Sequence, residues 1–570
     1  MALIEVPKGA PSHQLPDVPA LEKKDDAPSL TSSTKHEKVD SEPDGNQSAE
    51  AKKAANVPPI QNQNPEPVWA HGIQLWAIMI AVSLVLFLML LDGTIIVAAV
   101  PRITDDFHSL NDIGWYGAAY QLGSAVFQPL TGKIYMKFKP KARPIFFVLF
   151  EIGSLLCGVA NSSNMLIGGR VVAGAGASGM FNGSLIIISE CAPMERRPSF
   201  PLGFLLGNWN ILNVLGFYLN LPVGGVVVAL IILVRIPQQH PRPPPMSVFR
   251  SLHTHLDLLG FAVFAPALIM LLLACQYGGT TYPWSNSRII GLFCGAGAMF
   301  IVFLIWDYHK GDEAMIPMSI ARMRTVWTSC MVYGLMMSNL YLASYWVPVY
   351  FQGVKGVSPI KSGIYLLAMI VAHVFAAISS GPIGKNVVLG AMINLVGYTI
   401  PVALFASVLL SVGCGLFGTF SPSTPVGKWI GYQILYGVGR GLGIQMPILS
   451  VQKTVPPKQI PLAMALITFS QSFGAALFLS LGETIYSNSF GILIHEYAPS
   501  VNVTEVTDAG ATGFRSFVSG ADLEGVLIAY AKSIDRVFYM AAGLAASCFI
   551  FAWGMGWKDL RKKKAEVSKV

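Results

Sequence analysis

The sequence predicts an all-α protein that crosses a membrane about fourteen times, and three observations support this prediction. Of the 570 residues, 53% are hydrophobic and only 12% are charged, whereas soluble domains carry about 25% charged residues. Apolar runs recur along the chain at lengths near 20 residues, enough for a helix to cross a hydrocarbon core about 30 Å thick. Short basic clusters separate these runs, which is the pattern of the positive-inside rule.

The apolar runs lie at about 75–101, 113–136, 144–160, 164–190, 199–236, 257–276, 288–307, 326–351, 361–384, 397–419, 427–452, 461–486 and 534–557. With 199–236 counted as two crossings, they give about fourteen spans. The two runs in the middle of the chain separate two groups of six, so we predict two six-helix halves joined by two linker spans. The predicted segments are a disordered cytosolic tail at 1–70, a first half at 71–236, a cytosolic loop with the linker spans at 237–325, a second half at 326–557 with an extracellular loop at 487–533, and a basic cytosolic tail at 558–570.

The run at 164–190 is rich in small residues and carries one arginine, Arg170. Small residues four positions apart, such as Ala173/Ala177 and Gly179/Gly183, let a neighbouring helix approach closely. A guanidinium inside a spanning helix is costly, and it usually faces a partner or an aqueous cavity. We interpret this run as a functional helix; the structural alternative is a well-packed helix whose arginine reaches the membrane surface.

Basic clusters follow nearly every even-numbered run, which places those ends and both chain termini in the cytosol. The clusters contain Lys133, Lys137, Lys139, Lys141 and Arg143; Arg196 and Arg197; Arg235, Arg242 and Arg250; Lys310, Arg322 and Arg324; Lys453 and Lys458; and Lys558, Arg561, Lys562, Lys563 and Lys564. Two glycosylation sequons, at Asn161 and Asn502, then lie in outer loops. Asn502 is the better candidate, because Asn161 lies close to the membrane.

The run at 199–236 is too short for a simple interpretation. Basic residues flank it on both sides, so both of its ends should be cytosolic and it must cross twice or not at all. It has fewer residues than the roughly 40 that two crossings need. A cramped hairpin, a re-entrant segment and a damaged gene model remain open.

The two halves repeat each other. Gly132 and Lys133 end the second run before a basic loop, and residues 381–385 (Gly-Pro-Ile-Gly-Lys) do the same in the second half. The glycine-rich run around Arg170 has a counterpart at 436–447, which carries Arg440. Two parallel halves around a midplane cavity are the organisation of many secondary transporters.

These motifs resemble those of the major facilitator superfamily, specifically the fourteen-span drug:proton antiporters and their fungal toxin and multidrug efflux branch. The segments that carry the resemblance are 91–97 (Leu-Asp-Gly-Thr-Ile-Ile-Val) with Pro101, 128–135 (Gln-Pro-Leu-Thr-Gly-Lys-Ile-Tyr), 150–155, the glycines around Arg170, 217–225, 350–356 and 431–447. The resemblance implies the major facilitator fold and marks Gly132 and Lys133 as candidate gating-loop residues. The chain departs from the family in three ways. It lacks the glycine- and proline-containing motif of the fifth span, so we expect that span to be truncated or atypical. It has an apparent insertion at 386–395, and it has no acidic residue in the loop after Gly132.

Buried ionisable residues are the candidates for proton coupling. Asp92 lies about nine residues from the outer end of its span and Arg170 about six, which corresponds to roughly 13 and 9 Å of depth. We hypothesise that Asp92 takes and releases the coupling proton and that Arg170 modulates its proton affinity; a static ion pair between two helices is the alternative. Glu151 is a third candidate, with a structural hydrogen bond as its alternative role.

The second half supplies the candidate wall of a substrate cavity. The candidates are Arg440 and Gln445, in a glycine-rich helix, and the aromatic residues Tyr341, Tyr345 and Trp346. No phosphate-binding loop, metal-ligand cluster or nucleophile–base pair is present in the sequence. We therefore expect no enzyme activity, nucleotide, metal or nucleic acid, and an electrochemical proton gradient as the energy source.

The leading interpretation is a proton antiporter of the plasma membrane that exports a small amphipathic compound such as a toxin, drug or secondary metabolite. We expect a monomer in the lipid bilayer; the vacuolar membrane is the alternative location. An importer of the same fold, for example of a siderophore, is a second interpretation. A non-transporting relic or sensor is a third, because the fifth-span motif is missing.

Overall fold

The computed structural model describes residues 72–107, 113–137, 143–191, 224–225, 256–279, 281–380, 397–456, 459–509 and 513–557. The chain divides into two units, Met1–Glu66 and Pro67–Val570, and every described residue belongs to the second. The predicted tails at 1–70 and 558–570, the insertion at 386–395 and almost all of 199–236 lie outside the described residues.

Four long helices form the described part of the first half. They are α1 (Gly72–Phe107), α2 (Ile113–Lys137), α3 (Arg143–Gly158) and α4 (Ser163–Cys191). These helices coincide with the first four apolar runs, because a spanning segment must satisfy its backbone hydrogen bonds within itself. Gly224 and Gly225 form a further helical pair beside α3.

The linker consists of two antiparallel helices, α5 (Leu258–Tyr277) and α6 (Ser287–Lys310). A 3₁₀ turn, Gly311–Glu313, and a short helix α7 (Met318–Ala321) lead from α6 into the second half. Asp257 caps α5 by accepting a hydrogen bond from the backbone N–H of Gly260 at 3.2 Å. We call α5, α6 and the 3₁₀ turn the linker hairpin.

The second half contains the remaining helices. They are α8 (Arg324–Val349), followed by a π-helical turn (Tyr350–Val354), α9 (Pro359–Tyr365), α10 (Leu367–Ser380), α11 (Thr399–Phe417), α12 (Val426–Gly443), α13 (Gln445–Thr454), α14 (Ile460–Tyr497), α15 (Val503–Asp508) and α16 (Gly520–Ala552), with a 3₁₀ turn, Phe514–Ser516, between the last two. In the described part of the chain, nine helices are long and apolar enough to span a membrane.

The loop predicted at 487–533 is shorter than expected. Helix α14 continues to Tyr497 and α16 begins at Gly520, so only about residues 498–519 connect the two helices, and α15 lies within them. The helix ends differ from the predicted bounds because polar residues enter α14 and α16 before these helices end, and hydropathy alone places a boundary where polarity rises.

Glycines let the central helix of each half approach its neighbours closely. In α4, a side chain at Gly174 would overlap the carbonyl of Tyr120 in α2, and one at Gly176 would overlap the backbone of Phe150 in α3. In α12, Gly437 and Gly441 lie against the backbone of α10, and Gly439 lies against α11. The repeat predicted from the two glycine-rich runs is therefore present as a repeated packing arrangement.

The two halves meet closely at one end of the bundle, where α2 and α4 end and α14 begins; we call this the Lys133 end. Leu185 of α4 packs in one buried cluster with Ile448 of α13 and Leu462 of α14. Further toward the middle, Thr468 donates a hydrogen bond to Gln128 at 2.9 Å, and the hydroxyls of Ser124 and Ser472 lie 3.1 Å apart. The Lys133 end is therefore closed in this structure.

Candidate functional site

The Arg170–Asp92 ion pair lies in the interior of the first half. Nη1 of Arg170 lies 2.5 Å from Oδ2 of Asp92, and both side chains are almost completely buried, at 2% and 0% exposed. The sequence placed both residues at a similar depth, and the structure brings them together. Because charges in hydrocarbon are expensive, such a pair is retained only where each member satisfies the other.

Helix α2 supplies further partners of Arg170. Its Nε donates a hydrogen bond to the backbone carbonyl of Tyr116 at 3.1 Å. Its guanidinium carbon lies 4.5 Å from the ring centroid of Tyr120, which is within cation–π range. Ser154 of α3 lies within hydrogen-bonding reach of the Asp92 carboxylate. Three helices thus converge with α4 on one buried pair.

Glu151 lies near this pair and contacts the helical glycine pair of the first half. Its carboxylate is electrostatically influenced by Asp92, and a side chain at Gly224 would overlap its Oε1. Neither carboxylate oxygen has a hydrogen-bond partner among the residues that the structure describes. The structure therefore places all three predicted proton-coupling candidates in one region of the first half.

Arg440 occupies the corresponding position in the second half, but its surroundings differ. It is buried in α12, within electrostatic range of the hydroxyls of Tyr436, Tyr341 and Tyr333. Tyr436 donates a hydrogen bond to the backbone carbonyl of Asn339 at 2.8 Å, which holds this face of α12 against α8. Arg170 is thus paired with a carboxylate, whereas Arg440 lies among tyrosine hydroxyls.

Tyr120 and Tyr341 connect the two arginine sites across the interface between the halves. Tyr341 of α8 lies within hydrogen-bonding reach of Gln121 of α2 and Gln471 of α14. Tyr120 precedes Gln121 on α2 and lies within electrostatic range of Tyr341 as well as of Arg170. Its hydroxyl is buried and has no hydrogen-bond partner in the described ranges. Sequence reasoning missed Tyr120 and both glutamines, because only a contact across the halves distinguishes them from other polar residues in spans.

The other predicted cavity residues differ in how deeply they are buried. Tyr345 is half-buried and its ring lies 5.3 Å from that of Trp346. Trp346 is a core residue of the second half, 3% exposed, and packs on Tyr486 at 4.6 Å. Gln445 is half-buried at the start of α13, about one helical turn beyond Arg440. Trp346 therefore packs in the core of the second half, beside Tyr345.

The gating-loop candidates lie in the contact between the halves. A side chain at Gly132 would collide with Ala465 and Leu462 of α14, so the backbone of α2 lies close to the second half there. Nζ of Lys133, a buried residue, donates a hydrogen bond to the backbone carbonyl of Glu313 in the linker hairpin. Both candidates thus lie in the contact that closes the Lys133 end.

The two sequon asparagines are exposed, as an acceptor must be. Asn161 lies in the tight connection between α3 and α4. Asn502 caps α15, and its Oδ1 accepts a hydrogen bond from the backbone N–H of Thr504 at 3.0 Å. Across the described ranges, no group of three or more His, Cys, Asp or Glu side chains could hold a metal ion.

The sequence of the chain matches a known family over most of its length. The profile of the Major Facilitator Superfamily matches residues 82–479. This chain belongs to the Major Facilitator Superfamily. The match extends from α1 through about half of α14 and includes both arginine-bearing helices and the linker hairpin. This superfamily member is therefore a multi-pass membrane protein.

Three fungal relatives illustrate the branch to which this superfamily member is similar. The MFS-type transporter pigP of Monascus ruber is 51% identical over 86% of this chain and 88% of its own length. The efflux pump mlcE of Penicillium citrinum is 43% identical over 86% and 92%. The efflux pump aflT of Aspergillus parasiticus is 37% identical over 86% and 97%. The resemblance to fungal efflux transporters that the motifs indicated is confirmed.

Solved structures confirm the fold. The human organic anion transporter MFSD10 matches with a TM-score of 0.52 at 14% identity, covering 85% of this chain and all of the other. The proton:xylose symporter XylE, bound to 6-bromo-6-deoxy-D-glucose, matches with a TM-score of 0.51 at 13% identity, covering 85% and 98%. At such low identity these similarities concern the fold and not the substrate.

Proposed function

We propose that this protein is a proton-coupled efflux transporter that exports a small amphipathic organic compound across the plasma membrane. The observation that carries the proposal is the buried Arg170–Asp92 pair, which lies within electrostatic range of Tyr120 at the interface between the halves. A carboxylate in such a site can exchange a proton as its contact with a cation changes. The names of the fungal relatives support the direction of transport, and nothing in the comparisons favours an importer or a relic.

The second-half wall supports an amphipathic substrate. Tyr341 and Tyr345 supply half-buried aromatic surface with hydroxyl groups, and Arg440 supplies a charge within electrostatic range of Tyr341. Ligand sites of this kind combine mostly apolar walls with a few placed polar groups. The proton gradient supplies the energy, about 2.3 kcal/mol per proton for each 100 mV, and we propose that the chain acts as a monomer without nucleotide, metal or enzyme activity.

Efflux assays in intact cells test this proposal. Cells that express the protein are loaded with a panel of fluorescent amphipathic dyes, and the retained dye is followed with and without a protonophore. We expect faster loss of at least one dye, abolished by the protonophore but not by ATP-synthase inhibition alone. Greater accumulation than in control cells would favour an importer, and unchanged retention across the panel would contradict transport of this class.

The proposed orientation places both chain termini in the cytosol and the connection at 498–519 outside the cell. It predicts that Asn502 carries an N-linked glycan, because Asn502 is exposed at the start of a short helix in that connection. We expect glycosidase treatment to shift the electrophoretic mobility of the wild type and of Asn161→Gln but not of Asn502→Gln. A shift that persists in Asn502→Gln would contradict this assignment, and a glycan on neither residue would remove this support for the orientation.

A further inference from the structure

The linker hairpin covers the interface between α2 of the first half and α14 of the second. Phe264 of α5 packs with Leu122 of α2 on one side, and its ring lies 5.7 Å from that of Phe469 in α14 on the other. Phe303 of α6 lies behind Phe264, with 5.1 Å between the ring centroids. The hairpin therefore touches both halves, and it must move relative to one of them when the halves move apart.

Hydrogen bonds join the hairpin to the second half. Ser480 donates to Oε1 of Gln276 at 2.7 Å, and Nε2 of Gln276 donates to Glu483 at 3.4 Å. Thr484 donates to the carbonyl of Gly278 at 3.4 Å. These bonds join α5 and its C-terminal cap to α14 and are at least partly buried. Because hydrogen bonds need a defined distance and angle, they favour one register of the hairpin on α14.

Rings and apolar side chains form most of the contact between the hairpin and the first half. Tyr277 lies 5.4 Å from Trp115 and Phe261 lies 5.3 Å from Phe127, measured between ring centroids in both cases. Contacts between rings and apolar side chains have a less strict geometry than hydrogen bonds, so such surfaces can slide past each other more easily. The contact with α2 is thus easier to break than the contact with α14.

Lys133 adds a polar contact between the first half and the hairpin, at the closed end. Its ammonium group is bonded to the Glu313 carbonyl, just beyond the carboxyl end of α6, and is within electrostatic range of Asp307. Carbonyls at a helix carboxyl end attract cations. Asp257 holds this turn in place by accepting hydrogen bonds from Trp306 at 2.9 Å and from the backbone N–H of Met315 at 2.8 Å.

We propose that the linker hairpin moves as part of the second half, and that Lys133 docked on the Glu313 turn is the latch that keeps the Lys133 end closed. The two linker spans then take part in closing the Lys133 end, which would open when Lys133 leaves the Glu313 turn. This inference rests on the proposed transport function, since only an alternating-access cycle requires the Lys133 end to open.

Cross-linking tests which half carries the hairpin. In a transport-competent background without the seven native cysteines, a short bifunctional thiol reagent joins either Phe264→Cys to Phe469→Cys or Phe261→Cys to Phe127→Cys. We expect the first cross-link, between α5 and α14, to leave dye efflux within about twofold of the reduced protein, and the second, between α5 and α2, to abolish it. The reverse pattern, or the same result for both pairs, would overturn the proposal.

Hydrogen exchange tests the latch without any transport assay, so its outcome does not depend on the proposed function. In nanodiscs, we expect Lys133→Met to speed amide exchange at 460–467 roughly tenfold, because the closed end opens more often, and Lys133→Arg to restore slow exchange. Lys428→Met, at an exposed position of α12, is the matched control and should resemble the wild type. Unchanged exchange in Lys133→Met, or equal acceleration in Lys428→Met, would refute the latch. Faster exchange in Lys133→Met, in a protein that transports no dye, would support the latch and contradict the proposed function.

Discussion

Replacing Asp92 by Asn is expected to abolish proton-driven efflux and to destabilise the protein more than replacing Arg170 by Gln. Removing one member of a buried ion pair costs about 3–5 kcal/mol, because the other charge remains buried without compensation. The two members differ in how they respond. A lone aspartate can become neutral by taking up a proton, whereas a lone guanidinium stays charged at any accessible pH. In detergent, we therefore expect the unfolding temperature to be highest for the wild type, lower for Arg170→Gln and lowest for Asp92→Asn.

The double variant Asp92→Asn/Arg170→Gln separates the two roles that the sequence left open. A neutral pair of similar size often restores stability, so we expect its unfolding temperature to lie near that of the wild type. If Asp92 carries the coupling proton, the stable double variant still shows no pH-dependent efflux at normal surface expression. If efflux returns together with stability, the pair is a static link between α1 and α4, and the proton-coupling proposal fails.

Adding a single methyl group at Gly174 or Gly176 is expected to disrupt the packing of α4 and to destabilise the protein. A Cβ at Gly174 would overlap the Tyr120 carbonyl, and one at Gly176 would overlap the backbone of Phe150. Both neighbours are backbone atoms, which cannot rotate away. Overpacking typically costs about 1–3 kcal/mol, and here it also separates α4 from the helices that hold Arg170 in place.

Gly168 supplies the matched control for this prediction. It lies in the same helix, and an added Cβ there meets no atom within 4 Å. We expect Gly174→Ala and Gly176→Ala to lower both the folded yield and the unfolding temperature, and Gly168→Ala to leave both unchanged. Equal yields for all three variants, measured by fluorescence-detected size-exclusion chromatography, would show that α4 is not packed as described.

The described spans, and the proximity of Arg170 to Asp92, could be predicted from the sequence, each for a physical reason. A spanning helix must be apolar along its length, so its position is recorded in local composition. A charge in that helix stands out against an apolar background, and counting residues from the span ends gives its depth. Helix boundaries near polar stretches could not be predicted, as the continuation of α14 to Tyr497 shows.

Contacts between the halves were not predictable, because they join residues hundreds of positions apart and leave no periodic signal. Nothing local distinguishes Gln276, which bonds to Glu483, from other polar residues near span ends. The hydrogen-bond partner of Lys133 could not be predicted either. The loop after Gly132 lacks an acidic residue, and in the structure Lys133 bonds to the backbone carbonyl of Glu313.

By itself, the sequence determined that this is a membrane protein of two related halves, and it led to the hypothesis that Asp92 and Arg170 interact in the first. Hydropathy and the cost of charge in lipid are local properties, and they are sufficient for that conclusion. Only the tertiary structure decided that Tyr120 connects this pair to Tyr341 and that the linker hairpin covers the interface between α2 and α14. Those features depend on which helices become neighbours, and that is determined by packing across the whole bundle, since any apolar helix face can pack against another until shape and hydrogen bonds select one partner.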